Sequence, residues 1–202
     1  MEKKKEIIIA STNKGKANDF KVLFPEDKYT LKTLLDFPEI EDIEETGKTF
    51  RENAAIKAEY LCSKLNKIVI ADDSGLSIDA LNGAPGVYSA RYSGIHGDTE
   101  GGIDKILSEM KDVPSEKRTA YYTCCIAVAF PYDETKFFEG HAYGKITNNR
   151  IGTNGFGFDS IFLCNETNKT WAELTIEEKN KVNHRSDAFN RLLAMNHFLK
   201  FL

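Results

Sequence analysis

Residues 48–80, KTFRENAAIKAEYLCSKLNKIVIADDSGLSIDA, decide the fold class. Thr49 and Glu52 are spaced as a capping box, and Phe50, Ala54, Ala58, Leu61 and Leu65 recur at intervals of three and four, so the pattern predicts a helix over 50–65 with one apolar stripe. Asn66 ends it. IVIADD (68–73) is then an unbroken apolar run that stops at two aspartates, which predicts a strand buried on both faces. A strand, loop, helix, strand order is α/β construction.

Working outward, EIIIA (6–10) is a second buried strand that enters the polar loop STNKGK (11–16), with a helix expected from about Lys16 to Phe24, a break at Pro25 and a strand near 28–34. On the other side, NGAPGVYSARYSG (82–94) is a loop shaped by its glycines and Pro85, and a helix is expected near 99–110. RTAYYTCCIAVAF (118–130) and ETKFFEGHAYGKIT (134–147) flank the turn PYDE as long hairpin strands, so the sheet is mixed. GFGFDSIFL (155–163) gives a short strand after a glycine-rich turn, Thr175 to Glu178 repeat the capping box, and a last helix is expected over about 186–200. The fold class is therefore α/β, with a mixed sheet flanked by helices.

The chain has 202 residues and a formal net charge of -4, enough length for a core and a cleft and the wrong sign for bulk attraction to nucleic acid or anionic lipid. Any positive charge that binds phosphate must be local. No apolar run approaches the ~20 residues of a membrane span, and MEKKKEIIIAS turns polar too soon for a signal peptide, so a cytosolic protein is expected. Cys62, Cys124, Cys125 and Cys164 lack C-x-x-C spacing and read as core thiols rather than a zinc site.

Chemistry concentrates in a few stretches. In STNKGK, Ser11, Thr12 and Asn13 offer polar contacts, Gly15 permits close backbone approach, and Lys14 and Lys16 carry charge at a strand-to-helix turn, a place where anions bind. The Walker A spacing is absent, and an ordinary solvated turn fits the same residues. Among Glu41, Asp42, Glu44 and Glu45 one acid can turn inward toward a metal, or all can be a solvated loop. Asn53 and Lys57, four apart, share one helix face. At IADDSGL, adjacent carboxylates Asp72 and Asp73 repel unless a cation or donors compensate. Mg²⁺, which takes oxygen ligands and keeps waters, is an economical compensator, and turn capping through the Ser74 and Gly75 amides is the structural alternative. Phe156 and Phe158 alternate around Gly157, so one ring can face the core while the other stacks on a base, and Asp159 can accept a hydrogen bond. Lys179, His184 and Arg185 fall in a charged stretch read as the connection between two helices, able to contact phosphate or a carbonyl oxygen.

The order STNKGK, EETGKTFRENAAIKA, ADDSGLSIDALNGAPGVYSARYSG, GTNGFGFDSIF, AELTIEEKNKVNHR strongly resembles the inosine triphosphate pyrophosphatase family, from about residue 7 to 194. That resemblance implies one nucleotide pyrophosphatase domain of two lobes with a cleft, usually a homodimer. It also implies Mg²⁺-dependent hydrolysis of XTP, ITP and dITP to the monophosphate and pyrophosphate. Carried onto this chain, residues 11–16 match the triphosphate-binding loop, Glu45 and Asp73 the metal-associated acids, and Asp73 the proton acceptor. Ser74, the run Phe156, Gly157, Phe158 and Asp159, Lys179 and the pair His184 and Arg185 match substrate contacts, with Lys57 on the phosphate side. Three positions depart from the family pattern: Ser11 for a threonine, Ser160 for a proline and Asn183 for a serine. None removes a charged group.

The residue types suit the reaction by themselves. Attack of water on the α-phosphorus needs a metal, a base and cations around the leaving pyrophosphate. The separate roles of Asp72 and Asp73 stay open at this level. A 6-oxo purine presents an acceptor where adenine presents a donor, so a donor such as Arg185 can discriminate between them. Two rival readings remain: a phosphatase with an aspartate nucleophile, whose D-x-D pattern is missing, and a nucleotide sensor without turnover.

Overall fold

A computed structural model of the chain describes residues 4–12, 24, 26–41 and 43–194. Its strands are β1 (Lys5–Ile9), β2 (Tyr29–Thr33), β3 (Val69–Ile78), β4 (Thr119–Phe130), β5 (Asp133–Ile146), β6 (Phe162–Cys164) and β7 (Lys169–Thr170). Its helices are α1 (Phe50–Leu65), α2 (Thr99–Glu109), α3 (Ile176–Val182) and α4 (His184–Ala194). The strands form one sheet in the order β2-β1-β3-β4-β5-β6-β7. β1 runs parallel to β2 and β3, whereas β5, β6 and β7 pair antiparallel, so the sheet is mixed as expected. The helix expected from Lys16 to Phe24 lies outside the described residues, apart from Phe24.

α1 occupies the range its pattern predicts. Thr49 Oγ1 accepts from the Glu52 amide (3.1 Å) and Glu52 Oε2 accepts from the Thr49 amide (3.2 Å), while Asn66 stops the helix in the left-handed region at φ 48°. Its stripe of small residues, Ala54 and Ala58 with Leu61 and Cys62, lies against Val69 and Ala71 of β3 and Cys125, Ala127 and Ala129 of β4. Small side chains let the helix backbone approach the sheet closely, which later brings its polar residues within reach of β3.

β3 departs from expectation. The strand continues through Asp72 and Asp73 to Ile78 instead of ending there. The Asp73 carboxylate is tolerated inside a buried strand because it gains fixed partners, described below, and Leu76 and Ile78 resume the core beyond it. The loop after it also differs in part: Asn82 (φ 52°) and Gly83 (φ 86°) turn the chain, but Gly86–Arg91 form a 3-10 helix. The last helix begins at His184, two residues before the expected start, because Asn183 is extended (φ -89°, ψ 157°) and its Oδ1 accepts from the Ser186 amide at 2.8 Å.

The chain divides into two compact units. One comprises Met1–Asp73, Cys125–Glu139 and Phe189–Leu202, the other Ser74–Cys124 and Gly140–Ala188. The first has the α1 core just described. The core of the second gathers Leu76, Ile78, Ile103, Ile106, Met110, Phe158, Ile161, Phe162 and Trp171. Arg118 closes that core from one end: buried, it donates to the carbonyls of Met110 (2.6 Å), Val113 (3.3 Å), Ile146 (2.8 Å) and Thr147 (2.8 Å). It ties the end of α2 to the end of β5. Arg118→Ala leaves those carbonyls without their donor and is expected to cost about 2 kcal/mol, the net of lost charged hydrogen bonds and relief of a buried charge. Urea denaturation checks this, and an unchanged midpoint rejects it.

All four cysteines are buried, and no disulfide joins them. Among the described residues no helix is long and apolar enough to cross a membrane.

Candidate active site

In the first unit, α1 and β3 build a compact polar cluster inside an otherwise apolar layer. Asn53 and Lys57, one turn apart on α1, are both buried, and Asp73 faces them from β3. Asn53 Nδ2 donates to Asp73 Oδ2 at 3.0 Å, and Asn53 Oδ1 accepts from the Gly47 amide at 2.8 Å. Lys57 Nζ donates to Glu45 Oε1 (2.7 Å) and to the Asp72 carbonyl (2.8 Å), and stands 3.9 Å from Asp73 Oδ1. Burial by itself lowers the pKa of the Lys57 ammonium, but Asp73, Asp72 and Glu45 together outweigh it and hold the group above its ordinary 10.5. The lysine is therefore charged, with carboxylates on two sides.

Gly47 permits this closeness: a Cβ there would lie 2.6 Å from Asn53 Oδ1 and 2.9 Å from the Asn53 amide. One amide side chain thus fixes both the loop that carries Glu45 and the acid on β3. Asp72 is almost fully buried, but successive residues of a strand project to opposite faces, so its carboxylate does not share the Asp73 face. Ser11 and Thr12 follow β1, Ser11 half-buried with its carbonyl accepting from the Leu34 amide (3.3 Å) and Thr12 exposed. Asn13, Lys14, Gly15 and Lys16 lie outside the described residues, as does Asp42.

The second unit holds the other group. Gly155 (φ 78°) and Gly157 (φ 62°) turn the loop between β5 and β6. Asp159 Oδ2 accepts from the Phe156 amide (3.0 Å) and from Lys179 Nζ (2.5 Å). Burial pushes the Asp159 carboxyl up, and the Lys179 ammonium, the Phe156 amide and Arg185 pull against it. Asp159 therefore serves the loop itself. Phe158 belongs to the core at 5% exposure, whereas the Phe156 ring is 53% exposed with Lys179 Nζ 4.5 Å from its centroid. The alternation expected around Gly157 is present and its sense is now assigned.

Lys179, His184 and Arg185 are not in a connection. Lys179 lies within α3 and His184 and Arg185 open α4, because the Asn183 cap leaves a single residue between the helices. Arg185 is buried and its Nη2 lies 3.4 Å from Ser74 Oγ. α4 sits directly on β5 at Gly140, where a Cβ would lie 2.3 Å from the His184 carbonyl.

The sequence reading placed Asn53 beside Lys57 on one helix face and missed its bridge to Asp73. Tyr122 and Trp171 escaped it, with no signal beyond Trp171 being the chain's single tryptophan. Their rings stack 4.7 Å apart in the second unit.

Residues 7–195 match the model of the Ham1 family. The Bacillus subtilis (strain 168) protein named dITP/XTP pyrophosphatase is 51% identical over 188 residues, covering 93% of this chain and 95% of that protein. A Listeria monocytogenes serotype 4b protein of the same name is 51% identical over 187 residues, covering 93% of this chain and 92% of that protein. Among solved structures, the Staphylococcus aureus Ham1 protein is similar with a TM-score of 0.87 at 46% identity, over 97% of this chain and 98% of that one. A Mycobacterium abscessus structure titled nucleoside-triphosphatase / dITP/XTP pyrophosphatase has a TM-score of 0.78 at 42% identity, over 94% of this chain and all of that one. The family expected from the motif order is borne out in sequence and fold alike: the chain belongs to the Ham1 family.

Proposed function

We propose that the chain is a single pyrophosphatase domain of two lobes, in which Asp73 activates water against the α-phosphorus. The chain hydrolyses the non-standard purine nucleoside triphosphates XTP, ITP and dITP to the nucleoside monophosphate and pyrophosphate, the activity for which its half-identical relatives are named. The observation that carries the assignment of roles is the Asp73 carboxylate, held on Oδ2 by Asn53 with Lys57 near its other oxygen. A carboxylate so oriented can accept a proton from water, and the Lys57 ammonium beside it can meet phosphate charge. Ser11 to Lys16 supply the loop for the rest of the triphosphate.

The donor set fits Mg²⁺. Glu45 and Asp73 are hard oxygen ligands, and Asp72, whose carboxylate lies on the other face of β3, does not join them. Among the described residues no three His, Cys, Asp or Glu side chains are grouped to hold an ion, so waters and substrate phosphates would complete its shell. When bound, it supplies charge neutralisation at the phosphoryl oxygens.

For the purine, the exposed Phe156 ring offers a stacking face, and Ser74, Lys179, His184 and Arg185 offer donors to a 6-oxo group. Arg185→Ala is expected to lower the ITP to ATP preference about tenfold or more, since a site that hydrogen-bonds a substrate atom discriminates through it. Unchanged ratios of kcat/KM for the two nucleotides reject that role. We also propose a cytoplasmic homodimer, on the strength of the family resemblance, that binds neither nucleic acid nor membrane. Sedimentation tests its assembly. A panel of nucleoside triphosphates with Mg²⁺, assayed for pyrophosphate and orthophosphate, tests the reaction. Pyrophosphate from ITP supports it, and orthophosphate as the sole product selects the aspartate-nucleophile phosphatase.

A further inference from the structure

Tyr122 lies on β4 in the second unit and is 8% exposed. Its ring has three aromatic neighbours. Trp171 stacks at 4.7 Å and 22°, His184 at 4.9 Å and 26°, and Phe162 meets it edge-on at 4.9 Å and 80°. Trp171 and His184 are themselves stacked at 5.5 Å and 12°, so three near-parallel rings fix the plane of the His184 imidazole. Phe158, in the loop where Phe156 and Asp159 reside, packs in the same buried core as Tyr122. Lys179, paired with Asp159, completes the assembly with Nζ 5.0 Å from the Trp171 ring.

One ring thus packs with two segments that chain connectivity leaves independent, with Phe158 of the 155–159 loop in the shared core and with the first residue of α4 by stacking. Both segments bear groups assigned above to the purine. Tyr122 itself is too enclosed by Trp171, Phe162 and His184 to be the group that meets a base.

We infer that Tyr122 is a positioning residue for purine selection, whose ring holds His184 in plane beside the core that carries the Phe156–Asp159 loop. The inference rests on the reading of Phe156, Lys179 and His184 as base contacts. It makes base choice, rather than the chemical step at Asp73, the property that Tyr122 controls.

The test compares Tyr122→Phe, Tyr122→Leu and Phe156→Ala with the unaltered enzyme, measuring kcat and KM for ITP and GTP with Mg²⁺ and melting each protein by circular dichroism. Tyr122→Leu loses the stack and is expected to raise KM for ITP about thirtyfold, more than it lowers kcat, and to narrow the ITP to GTP preference. Tyr122→Phe keeps the stack and is expected to keep KM within about twofold, so that phenylalanine is the rescue. Should the leucine variant fail to fold, Tyr122→Met, which also lacks the ring, carries the test. A folded leucine or methionine variant with unaltered KM and unaltered preference, beside a Phe156→Ala enzyme whose KM rises tenfold, overturns the inference alone, as does a phenylalanine variant as impaired as the leucine one. A Phe156→Ala enzyme with unaltered KM overturns the base-contact reading and the inference with it.

Discussion

Asp73→Asn is expected to lower the rate of pyrophosphate release by about three orders of magnitude while the protein stays folded, the size that follows if Asp73 is the positioned proton acceptor proposed above. The substitution preserves volume and shape. What changes is the charge and one oxygen: asparagine offers an amide nitrogen to Asn53 Nδ2, a donor facing a donor, or turns that nitrogen toward the Lys57 ammonium. Either arrangement costs the local cluster about 1 kcal/mol, small beside the loss of the acid. Stopped assays of pyrophosphate from ITP, with thermal melts on the same samples, separate the two effects. A folded Asp73→Asn enzyme that turns over within tenfold of the original removes Asp73 from the role of base.

Gly140→Ala is expected to be the most damaging single methyl in the described structure. A Cβ on Gly140 would lie 2.1 Å from the Ala188 amide nitrogen, 2.3 Å from the His184 carbonyl oxygen and 2.8 Å from the Ala188 Cα. All three are backbone atoms of α4, so no rotamer change relieves the overlap and the helix must move. Overpacking of this kind costs about 3 kcal/mol, a fall in Tm of roughly 10 °C for a chain of this size. Because α4 begins with His184 and Arg185, the displaced helix also moves the donors proposed for the purine, and KM for ITP is expected to rise together with the loss of stability. Unchanged melting rejects the close seating of α4 on β5.

The sequence revealed α1 almost to the residue because its signals are local: a cap at Thr49, a box at Glu52, a stripe, a left-handed asparagine. It did not reveal the full length of β3. Asp72 and Asp73 look like a stop to any reading of hydropathy, since the groups that hold the Asp73 carboxylate, Asn53 and Lys57, sit far back in the chain, Asn53 by 20 positions. The same limit governs Phe156 and Phe158. Alternation shows that one ring turns inward, but choosing Phe158 requires knowing that Gly102 leaves it room, with a Cβ there 3.1 Å from the ring. The start of α4 at His184 was missed, although Asn183 is a good capping residue and its side chain accepts from the Ser186 amide. The Tyr122 stack was not legible, because three segments with no shared pattern meet there.

The four buried thiols have a use that follows from their distribution. Burial, with Glu139 nearby, pushes the Cys125 thiol up to about 12, and burial and Glu59 raise that of Cys62 as well. Such thiols react with alkylating agents only when the surrounding structure opens, so labelling under native conditions measures opening rather than intrinsic reactivity. Cys62 and Cys125 belong to one unit, Cys124 and Cys164 to the other. Peptide-resolved mass spectrometry of alkylated enzyme therefore times the breathing of each half separately, with reporters already in place and no substitution introduced.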